Sequence, residues 1–334
     1  MAVGSSFLAS YNAPQLPMVS IVISHINSGR TLEQCLLHLL RIEYPRERFE
    51  IVVVDAGSTD KSVEIVERMR SPNIKQIVKP GCSESEGQSL GIQQSKGEVI
   101  MFTNSDIYVP NDWVKKHVKW LSKGYDLSGG AVFWSGDKFS LTWNLPLPHK
   151  PCEKLQPGLG LGFSNCSIDR AFFNRAGGLV NLRSQHDAEF VLRSMKMGGK
   201  LIMDPTIEVY HDHPFKSFVG NFKRSFGYAI NHVTVIRASF GRMVAGSESP
   251  IIFSISSLFK ELTLITSARD YVQLRTRARK WDFQFRVNFI EFVLIRILST
   301  KTGQLVGILA GALPGRKSLA KVMELHSSNP MQRP

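Results

Sequence analysis

Two apolar runs that each end on an acidic polar cluster constrain the fold of this chain most. Residues 51–54 read Ile-Val-Val-Val and lead into Asp55, and residues 99–102 read Val-Ile-Met-Phe and lead into a Thr-Asn-Ser-Asp cluster that ends at Asp106. Either cluster alone is equally typical of an ordinary turn. Together they indicate two buried strands, whose carboxyl ends open onto one ligand crevice in a helix-flanked sheet. Two carboxylates there suit the hydroxyls, base edge and phosphate-bound cation of a nucleotide.

Strand and helix patterns alternate along the first part of the chain. Hydrophobic periodicity predicts strands over 19–23, 49–54, 74–78 and 98–102, and helices over 31–40, 61–69, 85–94 and 110–121. The helix over 61–69 is expected to have Ser58 or Asp60 as its N-cap. Strands that alternate with helices form a mostly parallel sheet with helices on its faces. The predicted fold class is therefore α/β, followed by a basic C-terminal helical region.

The middle of the chain is less regular. Residues 135–162 contain four prolines and are expected to form a long loop, which in a compact domain is usually functional. Helices are predicted over 169–175 and 186–197, and two short strands over 201–203 and 207–210.

Composition restricts the class of protein further. A chain of 334 residues with 43% hydrophobic content can bury a full core. Its four cysteines show no close pair with metal-ligand spacing, which argues against a zinc site or a disulfide framework and favours the reducing cytosol. Residues 1–17 are small, polar and punctuated by proline rather than basic and then apolar, so we expect a flexible tail instead of a signal peptide.

Positive charge is concentrated near the C-terminus. The net charge is +13, and residues 214–334 account for +12 of it, with 18 Lys and Arg against 6 Asp and Glu. From residue 215 onward the sequence predicts basic, aromatic-rich helices. Apolar stretches over 289–298 and 305–313 are shorter than the roughly 20 residues that a spanning helix needs. Such helices suit an anionic membrane surface, which would be entered by Phe289, Ile290, Phe292, Val293, Ile295 and Leu298.

Several ordered blocks resemble the inverting glycosyltransferases of family 2. The blocks are residues 19–27, 54–60, 97–98, 103–106, 162–170, 177–178 and 185–187. The resemblance covers about residues 18–214 and implies a nucleotide-diphosphosugar-binding fold in a catalytic domain of that extent. It implies transfer of a sugar from a nucleotide-diphosphate sugar to an acceptor hydroxyl, in glycan, polysaccharide or glycolipid assembly. The expected acceptors include lipid-linked molecules. We also expect the protein to be peripheral on the cytoplasmic face of a membrane.

The same resemblance implies which residues bind the donor. Asp55 would accept hydrogen bonds from the nucleotide base, and Asn27, Asn104 and Ser105 would also contact the nucleotide sugar. Asn104 stands where the family has the first acid of its Asp-x-Asp signature. It can hydrogen-bond a hydroxyl but brings no charge to a metal.

Metal binding would therefore depend on Asp106, with His211 as a further metal or phosphate ligand. The implied cofactor is Mg²⁺ or Mn²⁺, because a hard cation with oxygen ligands stabilises a diphosphate leaving group. By residue type alone, a histidine such as His211 before a proline-containing turn is equally typical of a structural hydrogen-bonding residue.

Asp187 matches the family's general base. An inverting displacement needs a base on the face opposite the leaving group, within reach of the acceptor hydroxyl. A position in the first turn of a helix favours the ionised carboxylate. His186 replaces the acid that commonly precedes this aspartate, so Glu189 is the alternative base.

Three other functions fit parts of the sequence. A nucleotidyltransferase would carry a glycine-rich, basic loop after the first strand, where residues 24–30 contain a single glycine. A dinucleotide oxidoreductase would place its glycine motif after a strand, whereas Gly158, Gly160 and Gly162 follow a proline-rich loop. A nucleic-acid-binding protein would explain the basic C-terminal region, but the first two thirds is nearly neutral, and no nucleic-acid partner is expected.

Overall fold

A mixed sheet of eight strands flanked by helices organises the chain. The computed structural model describes residues 16–144, 147–148, 150–153, 161–182, 184–213, 217–240, 265–284 and 286–306. The strand order is β3-β2-β1-β4-β7-β6-β8-β5. The described residues divide into two units, one with those up to 132 and 147–209, the other with 133–144 and 210–306. The expected N-terminal tail over 1–17 lies almost entirely outside the described residues.

The parallel half of the sheet has the predicted strand and helix alternation. It contains β1 (Val19–His25), β2 (Phe49–Asp55), β3 (Ile74–Val78) and β4 (Val99–Phe102). The pairs β1·β2, β1·β4 and β2·β3 are all parallel. Helices α1 (Leu32–Leu40), α2 (Ser62–Met69) and α3 (Glu84–Gln93) connect these strands. The α/β prediction is confirmed, and this half places the ends of β1, β2 and β4 at one edge.

The other half of the sheet includes antiparallel pairs, which the sequence pattern did not indicate. It contains β5 (Ile107–Tyr108), β6 (Leu127–Ser135), β7 (Cys166–Asp169) and β8 (Leu201–Asp212), and β7 runs antiparallel to both β4 and β6. The two strands expected over 201–203 and 207–210 are one continuous strand. Gly129 and Gly130 lie within β6. Glycine is needed at both positions because Leu161 and the backbone of Ile207 occupy the space that a Cβ would need.

Four further helices belong to this region: α4 (Trp113–Leu121), α5 (Lys138–Leu141), α6 (Arg170–Arg175) and α7 (His186–Lys196). The long loop expected over 135–162 therefore contains the end of β6 and all of α5, and residues 154–160 lie outside the described part.

The start of α2 differs from the prediction. Its N-cap is Lys61, without a side-chain cap, rather than Ser58 or Asp60. Asp60 instead accepts hydrogen bonds from the backbone and hydroxyl of Ser62, and Ser58 accepts one from the backbone of Asn27. Both side chains are thus used to shape the loop that follows β2.

The second unit is largely helical. It contains α8 (Phe218–Phe240), α9 (Ile265–Lys280) and α10 (Phe289–Ile295), which continues as a π-helical segment over Arg296–Lys301. Its core includes Phe292 and Val293, so the prediction that these two side chains enter a membrane is wrong. Among the described residues, no helix is long and apolar enough to cross a membrane. The apolar stretch over 305–313 lies mostly outside them.

Candidate functional site

The predicted acidic rim lies at the carboxyl end of the parallel strands in the first unit. Asp55 is the last residue of β2, and it pairs in register with His25 at the end of β1. The 103–106 cluster follows β4, on the other side of β1. Because these three strands are adjacent and parallel, their ends open at one edge of the sheet.

Asp55 is held as a buried carboxylate. Its Oδ1 accepts hydrogen bonds from the backbone N–H groups of Gly57 and Ser58, both at 2.7 Å. Burial opposes ionisation, but the hydrogen bonds from Ser58 and Gly57 and the nearby His25 outweigh it, and they hold the pKa of Asp55 below its usual value. Gly57 has a φ of +98°, and a Cβ there would lie 3.1 Å from Pro80. The turn after β2 therefore needs glycine.

His25 is a site residue that sequence reasoning missed. Its Nε2 lies 3.6 Å from Oδ2 of Asp55, and both side chains are fully buried. Burial lowers the pKa of His25, against the opposing effect of Asp55 and Asp60. Within the described part of the chain, Asp55 Oδ2 and both ring nitrogens of His25 have no hydrogen-bond partner. Its only signal in the sequence is its position at the end of a strand.

Asn27 and Ser105 connect the loops around this rim. Asn27, with a φ of 51°, accepts a hydrogen bond from the backbone of Thr59 at 2.8 Å through Oδ1. The hydroxyl of Ser105 lies 2.7 Å from that of Ser28. Asn104 donates through Nδ2 to the hydroxyl of Ser164 at 3.2 Å. These residues are therefore close to the strand ends but already have protein partners.

The two predicted metal ligands belong to different units. Asp106 is half-buried and directly precedes β5 in the first unit. His211 is buried near the end of β8 in the second, with its ring centroid 4.0 Å from that of Trp134 and 5.4 Å from that of His213. Carboxylates and imidazoles are groups that bind divalent metal ions, so Asp106 in the first unit and His211 and His213 in the second are each suited by residue type to that role. His213 lies two residues after His211, just beyond the end of β8, and the sequence analysis did not consider it.

Asp187 lies in the first turn of α7, whose N-cap is Gln185 with a φ of 65°. Its Oδ1 accepts a hydrogen bond from the N–H of Ala188 at 2.8 Å. Its Oδ2 points toward Gly162, where an added Cβ would lie 3.4 Å away. The side chain is half-buried, so one carboxylate oxygen remains directed at the loop before β7.

Glu189, the alternative base, is used differently. It is fully buried, and its two oxygens accept hydrogen bonds from Nε and Nη2 of Arg193, both at 2.8 Å. Arg193 also donates to the carbonyl oxygens of Ala176 and Gly178. The pair therefore fastens α7 to the turn that follows α6, and both Glu189 oxygens face a cation.

A second set of contacts fixes the segment that leads into α7. Asn181 accepts a hydrogen bond from the hydroxyl of Ser83 at 3.1 Å and donates to Glu86 at 2.7 Å. His186 is hydrogen-bonded to Gln88 at 2.9 Å. Ser83, Glu86 and Gln88 belong to the first turns of α3 or its capping box. The position of Asp187 therefore depends on α3, a link that sequence spacing does not indicate.

Comparison with known proteins identifies the family. Residues 20–177 match the family model described as glycosyl transferase family 2. Glycosyltransferase AglE of Haloferax volcanii is 31% identical over 124 residues, covering 35% of this chain and 40% of that protein. The poly(ribitol-phosphate) β-N-acetylglucosaminyltransferase TarS of Staphylococcus aureus is 28% identical over 99 residues, covering 29% of this chain and 17% of that protein. The chain thus spans less than half the length of these relatives.

Solved structures share the fold. Mannosyltransferase PcManGT of Pyrobaculum calidifontis, in complex with GDP-mannose and Mn²⁺, matches 93% of this chain and 79% of its own with a TM-score of 0.53 and 16% identity. Residues 1–349 of S. aureus TarS with UDP-GlcNAc match 93% of this chain and 91% of their own, with a TM-score of 0.53 and 14% identity. The resemblance stated from the sequence is confirmed over residues 20–177, which match a glycosyl transferase family 2 domain.

Proposed function

We propose that this protein is a metal-dependent inverting glycosyltransferase that moves a sugar from a nucleotide-diphosphate donor to an acceptor hydroxyl. The observation that carries the proposal is the set of acids at one end of the first unit's sheet. Asp55 and the 103–106 cluster end strands on either side of β1, and Asp187 begins α7. The family match over residues 20–177 supports the reaction class. The positions of Asp55, Asp106 and Asp187 support the role proposed for each of them.

The donor base is proposed to bind at the ends of β1 and β2. The buried Oδ2 of Asp55 and the ring nitrogens of His25 gain no hydrogen bond from the described residues, and a polar atom in that position is costly. A nucleobase, which presents N–H and carbonyl groups on one edge, would supply partners for them. Asn27, Asn104 and Ser105 are proposed to border the nucleotide sugar, with their present partners keeping the loops in place.

The cation is proposed to be Mg²⁺ or Mn²⁺, held by Asp106 and His211. One carboxylate and one imidazole suit a divalent cation, and His213 offers a further imidazole. When bound, the cation would stabilise the negative charge that develops on the diphosphate leaving group. The similar Pyrobaculum mannosyltransferase structure contains Mn²⁺.

Asp187 is proposed to be the general base. An acceptor hydroxyl would donate its proton to Oδ2, the oxygen that points toward Gly162, as the oxygen attacks the sugar carbon opposite the leaving diphosphate. The N-terminal end of α7 favours the ionised form of the carboxylate. Glu189, facing Arg193, is proposed to keep α7 in place instead.

The acceptor and the site of action follow from charge and from relatives. An undecaprenyl-phosphate 4-deoxy-4-formamido-L-arabinose transferase of Pseudomonas savastanoi is 32% identical over 119 residues, covering 34% of this chain and 35% of that protein. We propose a hydroxyl acceptor that includes lipid-linked molecules. The +12 charge of residues 214–334 supports peripheral association with an anionic membrane on the cytoplasmic face.

A screen of nucleotide sugars by thermal shift, with and without Mg²⁺ or Mn²⁺, tests the donor and the cation together. A ligand at 100 times its dissociation constant stabilises the folded state by about 2.7 kcal/mol, which raises the midpoint measurably. We expect at least one nucleotide sugar to do so only with the cation. Absence of stabilisation across UDP, GDP, dTDP, CDP and ADP sugars, with either cation, would contradict the proposal.

A further inference from the structure

An open groove in the second unit is lined almost entirely by apolar side chains. It has a volume of about 830 Å³ and lies among α5, the start of α8 and α10. The apolar side chains that line it include Phe139, Phe218, Phe289, Ile290, Leu294 and Leu298. A groove of this size is large enough for an aliphatic chain but is open along its length.

The two faces of α10 have different surroundings. Phe292 and Val293 pack into the core of the unit, whereas Ile295 is buried but lines the groove. Ile290, Leu294 and Leu298 remain 70%, 52% and 52% exposed, and they recur every fourth residue along the helix and its π-helical continuation. They therefore form one apolar stripe, which spans about 12 Å at 1.5 Å per residue. We call Ile290, Leu294 and Leu298 the α10 stripe.

The chain segment that contains the stripe is basic rather than acidic. Residues 265–306 contain eight Lys and Arg against three Asp and Glu. Glu291, on the rim of the groove, forms an ion pair with Lys138 at 2.8 Å. Asp270 forms a buried ion pair with Arg296 at 3.1 Å. Two of these three acids are thus paired with cations, while Arg275 and Arg279 are exposed.

Exposed apolar side chains concentrate in the same unit. Among the described residues, eight of the thirteen large exposed hydrophobic side chains belong to it, although it contributes fewer described residues than the first unit. Two of them, Phe218 and Val219, begin α8 beside the groove. A unit that combines an apolar stripe with a net positive charge suits the interface of an anionic bilayer.

We infer that α10 lies in the headgroup region of an anionic phospholipid bilayer, with the α10 stripe and the groove in contact with acyl chains. This inference deepens the proposed membrane association and rests on it. The stripe is too short to cross a bilayer, but a helix lying parallel to the membrane inserts only about 5–10 Å. Nucleic acid would use the positive charge but would gain nothing from an apolar groove. Acyl chains match the groove, and anionic headgroups match the charge.

Vesicle co-sedimentation of the full chain tests the inference. The test variant is Ile290→Gln/Leu294→Gln/Leu298→Gln. The matched control is Leu16→Gln/Met195→Gln/Met197→Gln, which alters three side chains of the first unit that are 43%, 42% and 50% exposed. We expect wild type and control to pellet with phosphatidylserine-containing vesicles at low salt. The α10 stripe variant should have a partition coefficient lower by about tenfold or more, the scale expected when three apolar side chains lose their burial.

The outcomes distinguish the proposed docking face from the proposed membrane association and from the proposed enzymatic function. Retention of the nucleotide-sugar thermal shift by the stripe variant would show that the variant is folded. If that variant pelleted like wild type, the docking face would be wrong while membrane association stood. If wild type failed to pellet but still bound its donor, both membrane proposals would be wrong and the enzymatic one unaffected. Equal pelleting with phosphatidylcholine vesicles, or loss of a dimer in light scattering without a change in pelleting, would also overturn the inference.

Discussion

Substitution of Asp187 and Glu189 by their amides should separate catalysis from stability, although the two residues lie two positions apart on α7. Asp187→Asn removes the proposed base without disturbing an ion pair, so turnover should fall by about 10²-fold or more. Its unfolding free energy should change little, because Oδ1 can still accept the N–H of Ala188. Glu189→Gln should do the opposite.

The magnitude for Glu189→Gln follows from its surroundings. Glu189 is fully buried, and Arg193, whose side chain is 14% exposed, holds both of its oxygens at 2.8 Å. Removing one charge from a buried pair costs about 3–5 kcal/mol. Glutamine turns an NH₂ group toward the guanidinium, but its amide oxygen can still accept one hydrogen bond. We therefore expect a cost at the lower end of this range, about 3 kcal/mol. At roughly 2–4 °C per kcal/mol, the thermal midpoint should fall by roughly 6–12 °C.

The assay combines urea unfolding with turnover measured well below both midpoints. Donor affinity, measured alongside, should be unchanged in Asp187→Asn. When folded, Glu189→Gln should retain turnover within about tenfold of wild type. The reasoning fails if Glu189→Gln abolishes turnover at unchanged stability while Asp187→Asn remains active, because Glu189 would then be the base.

Three further predictions concern other parts of the first unit. Asp106→Ala should abolish cation-dependent donor binding in calorimetry, since Asn104 brings no charge, and unchanged affinity at saturating Mn²⁺ would refute this. Burial lowers the pKa of His117 from 6.5 to about 4, so the unfolded state binds a proton first as pH falls. His117 should therefore contribute about 3 kcal/mol of stability above pH 6.5 that is lost between pH 6.5 and 4, and His117→Gln should remove that part of the slope in urea titrations. Asn181→Ala should lower kcat more than it changes donor affinity, because Asn181 contacts α3 rather than the rim, whereas an equal loss in both would indicate a direct role in donor binding.

The sequence by itself determined the parallel half of the sheet and the kinds of residue at its edge. Runs such as 51–54 and 99–102 have no stable place except inside a sheet, because every side chain in them is apolar. Asp55 follows the first run directly and Asp106 ends the polar cluster that follows the second, so their place near strand ends could be predicted from local order alone. The concentration of charge after residue 213 was equally a property of the sequence.

Tertiary structure decided what those residues contact, because contacts between distant segments leave no local pattern. Glu189 and Asp187 are both acids in the first turn of one helix, and only the packing of Arg193 makes one a buried ion-pair partner. His25 became a neighbour of Asp55 through the register of β1 with β2. The α10 stripe could not be predicted from the apolar stretch over 289–298, because only the packing of the unit's core determined which side chains of that stretch are buried.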